Sequence, residues 1–341
     1  MWLIRPKPKP HEALSSWLVR IAAANGQRLH SFTTDHWPGL ALWTRDIDHL
    51  APSSVLETLA KRTATTLSDA RATTFSQYGG ILFEGDDPIT HFSYVRPLGV
   101  FHRLRRAFGQ QFCPACLATD PQPYFRLTWR LSLFPVCTHH GKILLDRCGK
   151  CGQPVLPHRG GIATCHSCHT PLGEMTQCDA DAMVLAFQSI NAAILAGHPV
   201  AWPWPLLGLH PLLYFRLIMC LASTLLLGKR RDAFRTHVSA FLREPLPQLA
   251  HDRKVELRFL PPEMAHDALR GVAALLVGWP ARFVGAAQEA GLWYSWAQKD
   301  LEPSRVPYAY INPVRTYLKI DGNEAKRTYR SRASAQADCS R

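Results

Sequence analysis

Leu14, Trp17, Leu18, Ile21 and Ala22 recur at i, i+3, i+4, i+7 and i+8, the period of one buried helix face, and Asn25-Gly26 supplies a stop. A second helical pattern starts at Ser54, whose spacing to Glu57 fits a capping box, with Leu56, Leu59 and Ala60 as its apolar stripe. After Arg62-Thr63-Ala64-Thr65 a short helical stretch runs from Leu67 to Phe75. Helix, turn and helix in this order outline a helix-turn-helix, although the turn lacks the glycine often found there. A plain helical hairpin fits the same spacing. Further along, apolar periodicity predicts helices over 179–196, ending at Gly197, then 212–227, about 231–243, 262–277 and 280–290. Val272, Leu275, Leu276 and Trp279 read as core, and Pro280 restarts the pattern.

The two ends and one junction break this periodicity. In residues 1–10, Pro6, Pro8 and Pro10 alternate with Arg5, Lys7 and Lys9, which predicts an extended, basic segment: a disordered leader or a docking arm. Pro199-Val200-Ala201-Trp202-Pro203-Trp204-Pro205 reads as a linker or packing corner. The stretch 324–341 is polar and basic, with the composition of a disordered tail. The chain of 341 residues is nearly half hydrophobic and 19% charged, which describes a globular protein of several domains. With 39 Lys and Arg against 26 Asp and Glu, its net charge of +13 points to nucleic acid or an acidic protein surface. Arg103, Arg105 and Arg106, beside His102, form a basic cluster that could meet phosphates or simply be solvated.

The cysteines change the picture. Cys113-Pro114-Ala115-Cys116 is followed by Cys137-Thr138-His139-His140, and Cys148-Gly149-Lys150-Cys151 by Cys165-His166-Ser167-Cys168. Two residues between ligands let a tight knuckle turn both side chains toward one ion, and two knuckles complete a tetrahedron. Two structural zinc ions are therefore expected: one held by Cys113, Cys116, Cys137 and His140, the other by Cys148, Cys151, Cys165 and Cys168. His139 competes with His140, and the two-residue spacing favours His140. Gly152 and Gly160-Gly161 suit a hairpin-shaped ribbon. Cys178, Cys220 and Cys339 lack a partner knuckle, and Cys220 reads as a small core hydrophobe.

Four protein ligands per site close the coordination shell, and no His-Glu-x-x-His, Gly-x-Ser-x-Gly or phosphate-binding loop is found, so an enzyme is not expected. The N-terminus lacks the apolar core of a signal peptide. The 212–227 stretch is short for a bilayer and contains Arg216, so it reads as a buried helix and the expected location is cytoplasmic, where paired thiols favour metal over disulfides.

Several of these residues fall in a shared order. Arg5-Pro6-Lys7-Pro8-Lys9-Pro10-His11-Glu12 with Leu14-Ser15-Ser16-Trp17-Leu18 and Asn25 resembles the opening of the TniQ family of bacterial transposon proteins. Phe112-Cys113-Pro114-Ala115-Cys116, Tyr124-Phe125-Arg126, Trp129-Arg130, Cys137, His140-Gly141, Leu144-Leu145, Cys148 and Cys151 follow in that family's order, and Gly278-Trp279-Pro280 with Phe283 also looks similar. The resemblance is clear over roughly residues 1–170 and implies a helix-turn-helix beside tandem zinc ribbons. It implies a non-enzymatic adaptor that links a target-recognition complex, in some members a Cascade-type CRISPR effector with its guide RNA, to an AAA+ ATPase of TnsC or TniB type. It also tilts the expected assembly toward a homodimer. By position, Arg5, Pro6, Lys7, Pro8 and Trp17 would engage the ATPase; the helical spacing of Trp17 also fits a core residue. The chain is shorter than TnsD-type proteins, which argues against recognition of a long DNA site on its own. The competing readings are a sequence-specific DNA-binding regulator using the helix-turn-helix, and a zinc-dependent hydrolase.

The expected fold is mainly α with small zinc-ribbon β elements. Its parts are a basic arm and helix-turn-helix-like region over 1–112, tandem ribbons over 113–176, a helical domain over 177–323 and the tail over 324–341.

Overall fold

The computed structural model describes residues 2–49, 51–85, 94–98, 108–198, 206, 208–249 and 255–319. Arg103, Arg105, Arg106, the 199–205 stretch, Cys339 and the expected tail lie outside the described residues. The chain divides into two compact units, one of residues 1–200 with 257–266, the other of 201–256 with 267–341. The described residues are mainly helical, with one two-stranded sheet.

In the first unit, α1 (Leu14–Ala24) follows the expected periodicity, and Leu14, Trp17, Leu18 and Ile21 are fully buried. The free N–H groups that any helix start exposes find partners from distant segments. Leu14 N donates to Thr73 O (2.8 Å) and Ser15 N to Asp48 Oδ1 (2.7 Å). At the other end Asn25 occupies the C-cap and its Nδ2 donates to Ile21 O (2.9 Å), while Gly26 takes the left-handed conformation (φ 68°) that ends helices. A helix that the apolar pattern did not announce, α2 (Leu29–His36), adds Phe32 to this core.

The next pair departs from expectation in detail. α3 (Ser53–Thr63) starts at Ser53 behind Pro52, so Ser54 lies inside the helix and its carbonyl accepts Thr58 Oγ1 (2.7 Å); the Ser54–Glu57 capping box does not form. Proline pre-sets the entry to the helix instead. Ala64 takes the left-handed C-cap position (φ 53°, ψ 48°) where glycine would be unstrained. Thr66 then caps α4 (Leu67–Arg71), accepting from Asp69 N (3.0 Å). α4 has 5 residues, not the expected nine, and a 3-10 turn follows at Phe75–Tyr78.

α5 (Pro114–Thr119), β1 (Val136–Cys137) and β2 (Lys142–Ile143) carry the first cysteine region, the strands pairing antiparallel. Around the second region only isolated bridges occur, Arg147 with Pro154 and Thr164 with Pro171. α6 (Ala182–Leu195), capped by Asp181 and followed by Gly197 at φ 71°, packs on β1. There the Gln188 amide accepts from Val136 N (2.9 Å) and donates to Val136 O.

A chain of buried ions binds these parts of the first unit together. The Arg130 guanidinium reaches Asp46 Oδ2 (2.5 Å), Asp48 Oδ2 (2.9 Å) and Arg96 O (2.8 Å). Arg96 in turn donates to Asp146 Oδ2 (3.0 Å), Phe108 O (2.9 Å) and Leu260 O (2.6 Å). Asp48 also accepts the amide and hydroxyl of Ser15, so the start of α1 is tied through two arginines to the loop before Cys148.

In the second unit, α7 (Pro211–Leu226), α8 (Arg231–Ser239), α10 (Ala281–Glu289) and α12 (Tyr308–Tyr317) surround an aromatic centre, together with the part of α9 (Pro262–Val277) from Asp267 onward. Phe283 lies 5.9 Å from Phe234, 5.3 Å from Trp279 and 5.4 Å from Tyr310 between ring centres. Val272, Leu275, Leu276 and Cys220 are buried, as the pattern implied. α11 (Tyr294–Gln298) packs on α12, and the Tyr310 hydroxyl donates to Ala297 O (2.9 Å). Among the described residues no single helix is long and apolar enough to cross a membrane.

Candidate metal centres and the pinned N-terminal arm

Folding brings the eight expected ligands into two groups, Cys113 with Cys116, Cys137 and His140, and Cys148 with Cys151, Cys165 and Cys168. In each group the four ligand atoms lie within 4.8 Å of one another. The local chain explains how. Cys113 caps α5 and Cys116 sits one turn into it; Cys137 ends β1, and the tight turn to β2 presents His140. Three of the four knuckles share one device. Gly141, Gly152 and His169 each donate their N–H to the cysteine four residues earlier, at 2.8 Å, 2.9 Å and 3.0 Å, from a left-handed backbone with φ of 61°, 68° and 58°. Two are glycines, which adopt it freely; His169 does so at a steric cost.

The spacings test the fit of an ion. A tetrahedron with Zn–S of about 2.3 Å and Zn–N of about 2.05 Å has S···S edges of about 3.8 Å and S···N edges of about 3.6 Å. Cys116 Sγ lies 3.5 Å from Cys137 Sγ, and His140 Nδ1 lies 3.6, 3.3 and 3.6 Å from Cys113, Cys116 and Cys137. In the second group Cys148 lies 3.5 Å from Cys168, and Cys151 3.7 Å from Cys165. Both donor sets fit a closed tetrahedral site for zinc. Of the two histidines left open by the sequence, His140 meets the thiols, through Nδ1; His139 is exposed and stands outside the group, as do His166 and His169.

The thiols of the first group hydrogen-bond with one another. Cys113 is pulled well below an ordinary thiol by hydrogen bonding with Cys116 and then Cys137, while the same contact with Cys113 pushes Cys116 upward. Hydrogen bonds from protonated neighbours favour a single thiolate, at Cys113, whereas a dication would hold all three sulfurs as thiolates. In the second group the Thr170 hydroxyl, 3.3 Å from Cys168 Sγ, brings that thiol down to about 6. Three supporting residues were not foreseen in the sequence: Thr170, Met175, whose sulfur accepts Gly149 N (3.3 Å), and Gln177, which reaches from Ile143 O (2.8 Å) to within 3.4 Å of Cys113 Sγ. Polar residues beside a knuckle carry no signal in a single sequence, because any loop contains them.

The N-terminal segment is an ordered arm. Glu12 and Arg20 form a buried ion pair (2.8 Å, side chains 0% and 4% exposed). Glu12 also accepts Ser16 Oγ (2.8 Å) and Lys9 N (2.9 Å), and Arg20 donates to Lys7 O (2.6 Å) and Gln122 Oε1 (2.7 Å). The Trp17 indole N–H donates to Pro6 O (2.8 Å), and the Lys7 amine reaches Ala64 O. These bonds, with Arg5 Nε donating to Trp2 O (3.1 Å) inside the segment, hold the extended proline stretch in place, so the disordered leader is not the alternative observed. Trp17 is fully buried, so it meets the arm from beneath and has no face to offer a partner; the core reading of that residue is the one realised. Arg5 and Lys7 are exposed on the arm, and Pro6 and Pro8 are half-buried.

No curated protein matches the chain. The family match stops where the first cluster's sheet ends, short of the second cluster: residues 3–144, which contain the arm, the helices α1 to α5 and the first four-ligand group, match the TniQ family.

Proposed function

We propose that the chain is a non-enzymatic adaptor of transposition target selection, linking a target-bound complex to an AAA+ ATPase of TnsC or TniB type. The observation that carries this reading is the TniQ match over the arm and first cluster, joined to an arm that is fixed and keeps Arg5 and Lys7 exposed. In this reading Cys113, Cys116, Cys137 and His140 hold one zinc and Cys148, Cys151, Cys165 and Cys168 a second. When bound, zinc supplies folding energy to ribbons too small to bury a core. Arg5, Pro6, Lys7 and Pro8 form the ATPase contact, positioned by Trp17 and Arg20 from below. The net charge of +13 gives salt-sensitive contact with DNA or guide RNA backbone, with Arg103, Arg105 and Arg106 among the contributors. An RNA-guided Cascade-type effector is the proposed target complex and a homodimer the proposed assembly. The 5 residues of α4 leave little length to read base edges, which favours an adaptor over a sequence-specific regulator.

Deleting the arm would remove bonds to Trp17 and Arg20 and disturb the fold, so the test uses charge reversal at its exposed Arg5. Zinc-loaded protein and the R5E variant, which keeps the Lys7 bond to Ala64 O, are compared for retention of the ATPase encoded beside them, with nucleotide and DNA present. Retention by the wild type that is lost in the variant supports the adaptor. No retention by either, with tight sequence-selective DNA binding by the protein alone, would replace it by the regulator.

A further inference from the structure

Between the arm, the loop before β1 and the end of α6 lies a cavity of about 860 Å³, within the range of sites that take small ligands or a few residues of a peptide. Its walls are apolar and aromatic, among them Trp129, Phe134 and Leu195. One permanent charge enters it. The Arg126 guanidinium is sandwiched between the rings of Tyr124 (4.5 Å) and Trp129 (4.8 Å) and anchored by Asp120 through two bonds of 3.2 Å. Three imidazoles, His11, His139 and His198, stand at its rim; no Asp or Glu is among the described residues lining it, and Cys137 of the first four-ligand group forms part of its wall. Two further features mark it as more than a packing gap. His11 is held in a left-handed backbone (φ 57°) that a non-glycine residue adopts at a cost, fixed by Leu127 N donating to His11 O (2.7 Å). The Tyr78 hydroxyl, on the cavity wall, is buried without a hydrogen-bond partner. The pKa of His11 is lowered, by partial burial first and then by the nearby Arg126 charge.

We propose that this cavity docks a short segment of a partner protein, an aromatic or large aliphatic side chain entering between its walls and an adjacent carboxylate meeting Arg126 and the rim imidazoles. The charge is complementary to one carboxylate. A nucleic-acid strand fits less well, since the space is a cavity, not a track along a backbone, and it offers one guanidinium where a strand would bring a row of phosphates. The arm's His11 continues into the rim, so the segment would lie beside the arm's exposed face, yet the proposal stands whether or not that face meets an ATPase.

The test is selection of a displayed library of random peptides on zinc-loaded full-length protein, in parallel with A192W, which places an indole in the cavity from α6 without removing a bond. The expected result is enrichment of sequences pairing an acid with an aromatic or large aliphatic residue, bound at least about tenfold more weakly by A192W. H11N keeps a residue tolerant of the left-handed backbone while removing the imidazole, and is expected to weaken the same peptides; it serves if A192W loses its circular dichroism or metal content. Absence of enrichment, or peptides that bind both variants as well as wild type, would overturn the proposal. Displacement of the peptides by a single-stranded oligonucleotide, with retention by the wild type alone, would transfer the site to nucleic acid and overturn it equally.

Discussion

Arg130 is the residue whose removal tests the buried ion chain most directly. Its side chain is fully buried and makes charge-assisted bonds to Asp46 (2.5 and 3.3 Å) and Asp48 (2.9 Å). In R130M the apolar stem keeps much of the volume, but Asp48, also fully buried, is left with only the amide and hydroxyl of Ser15. Breaking a buried pair in this way costs about 3–5 kcal/mol, because the surviving charge is uncompensated. The carboxylate has an escape in protonation. Burial pushes Asp48 up to about 6 even with Arg130 opposing it, and the like charge of Asp46 adds to the rise. A carboxyl raised in the folded state stabilises the fold fully below its unfolded value of 3.8 and loses that contribution as pH rises through about 6. Without Arg130 the folded value climbs further and the loss extends toward neutrality. The penalty of R130M should therefore be near its full size at about pH 7.5 and shrink to about 1–2 kcal/mol at about pH 5.5, where Asp48 holds a proton. Urea unfolding of zinc-loaded protein, followed by tryptophan fluorescence, measures both, and the D48N/R130M double variant should recover much of the loss. A penalty below about 1 kcal/mol at the higher pH, or an equal penalty in the D48N background, would refute the reasoning.

Loss of the His140 ligand in H140A should leave one tightly held zinc per chain where H139A retains two, counted by thiol-reagent release with a metal dye; equal stoichiometry in the two variants would show that the imidazole is not a ligand. Replacing Ala64, left-handed at φ 53°, by glycine should raise stability by about 1 kcal/mol in urea unfolding, and a decrease would mean that the turn adopts another backbone. Burial, aided by Arg159 and His30, lowers His158 to about 4 while it stacks on Trp43 at 5.7 Å. Its contribution is thus present above about 6.5 and lost as pH falls toward 4, up to about 3 kcal/mol, and H158F should flatten the acid limb of the stability curve. Asp48 and His158 act in opposite senses over one pH window, so each is read as the difference from its own variant, not from the wild-type curve.

What the chain determined by itself was local. The period of Leu14 to Ala22, the Asn25-Gly26 stop and the Gly197 end of α6 are short-range patterns, and they give the helix ends where they are found, whereas α6 starts at Ala182 behind its Asp181 cap and not at 179. The two-residue spacing of the knuckles set the eight grouped side chains, because a tight turn needs nothing distant to aim two thiols at one point. The choice of His140 over His139 followed from the same geometry. Local reasoning failed where a distant atom supplied the partner. The capping box at Ser54 lost to Pro52, and the free amides of α1 were met by Thr73 and Asp48, a long way off in sequence. Whether Trp17 faced solvent or core, and whether the proline-rich arm was loose or pinned, turned on where Glu12 and Arg20 were buried together. The Asp48–Arg130–Arg96–Asp146 chain and the cavity around Arg126 had no sequence signature beyond their charges. Such charges look like solvated surface until folding removes the water and leaves each ion only its partner.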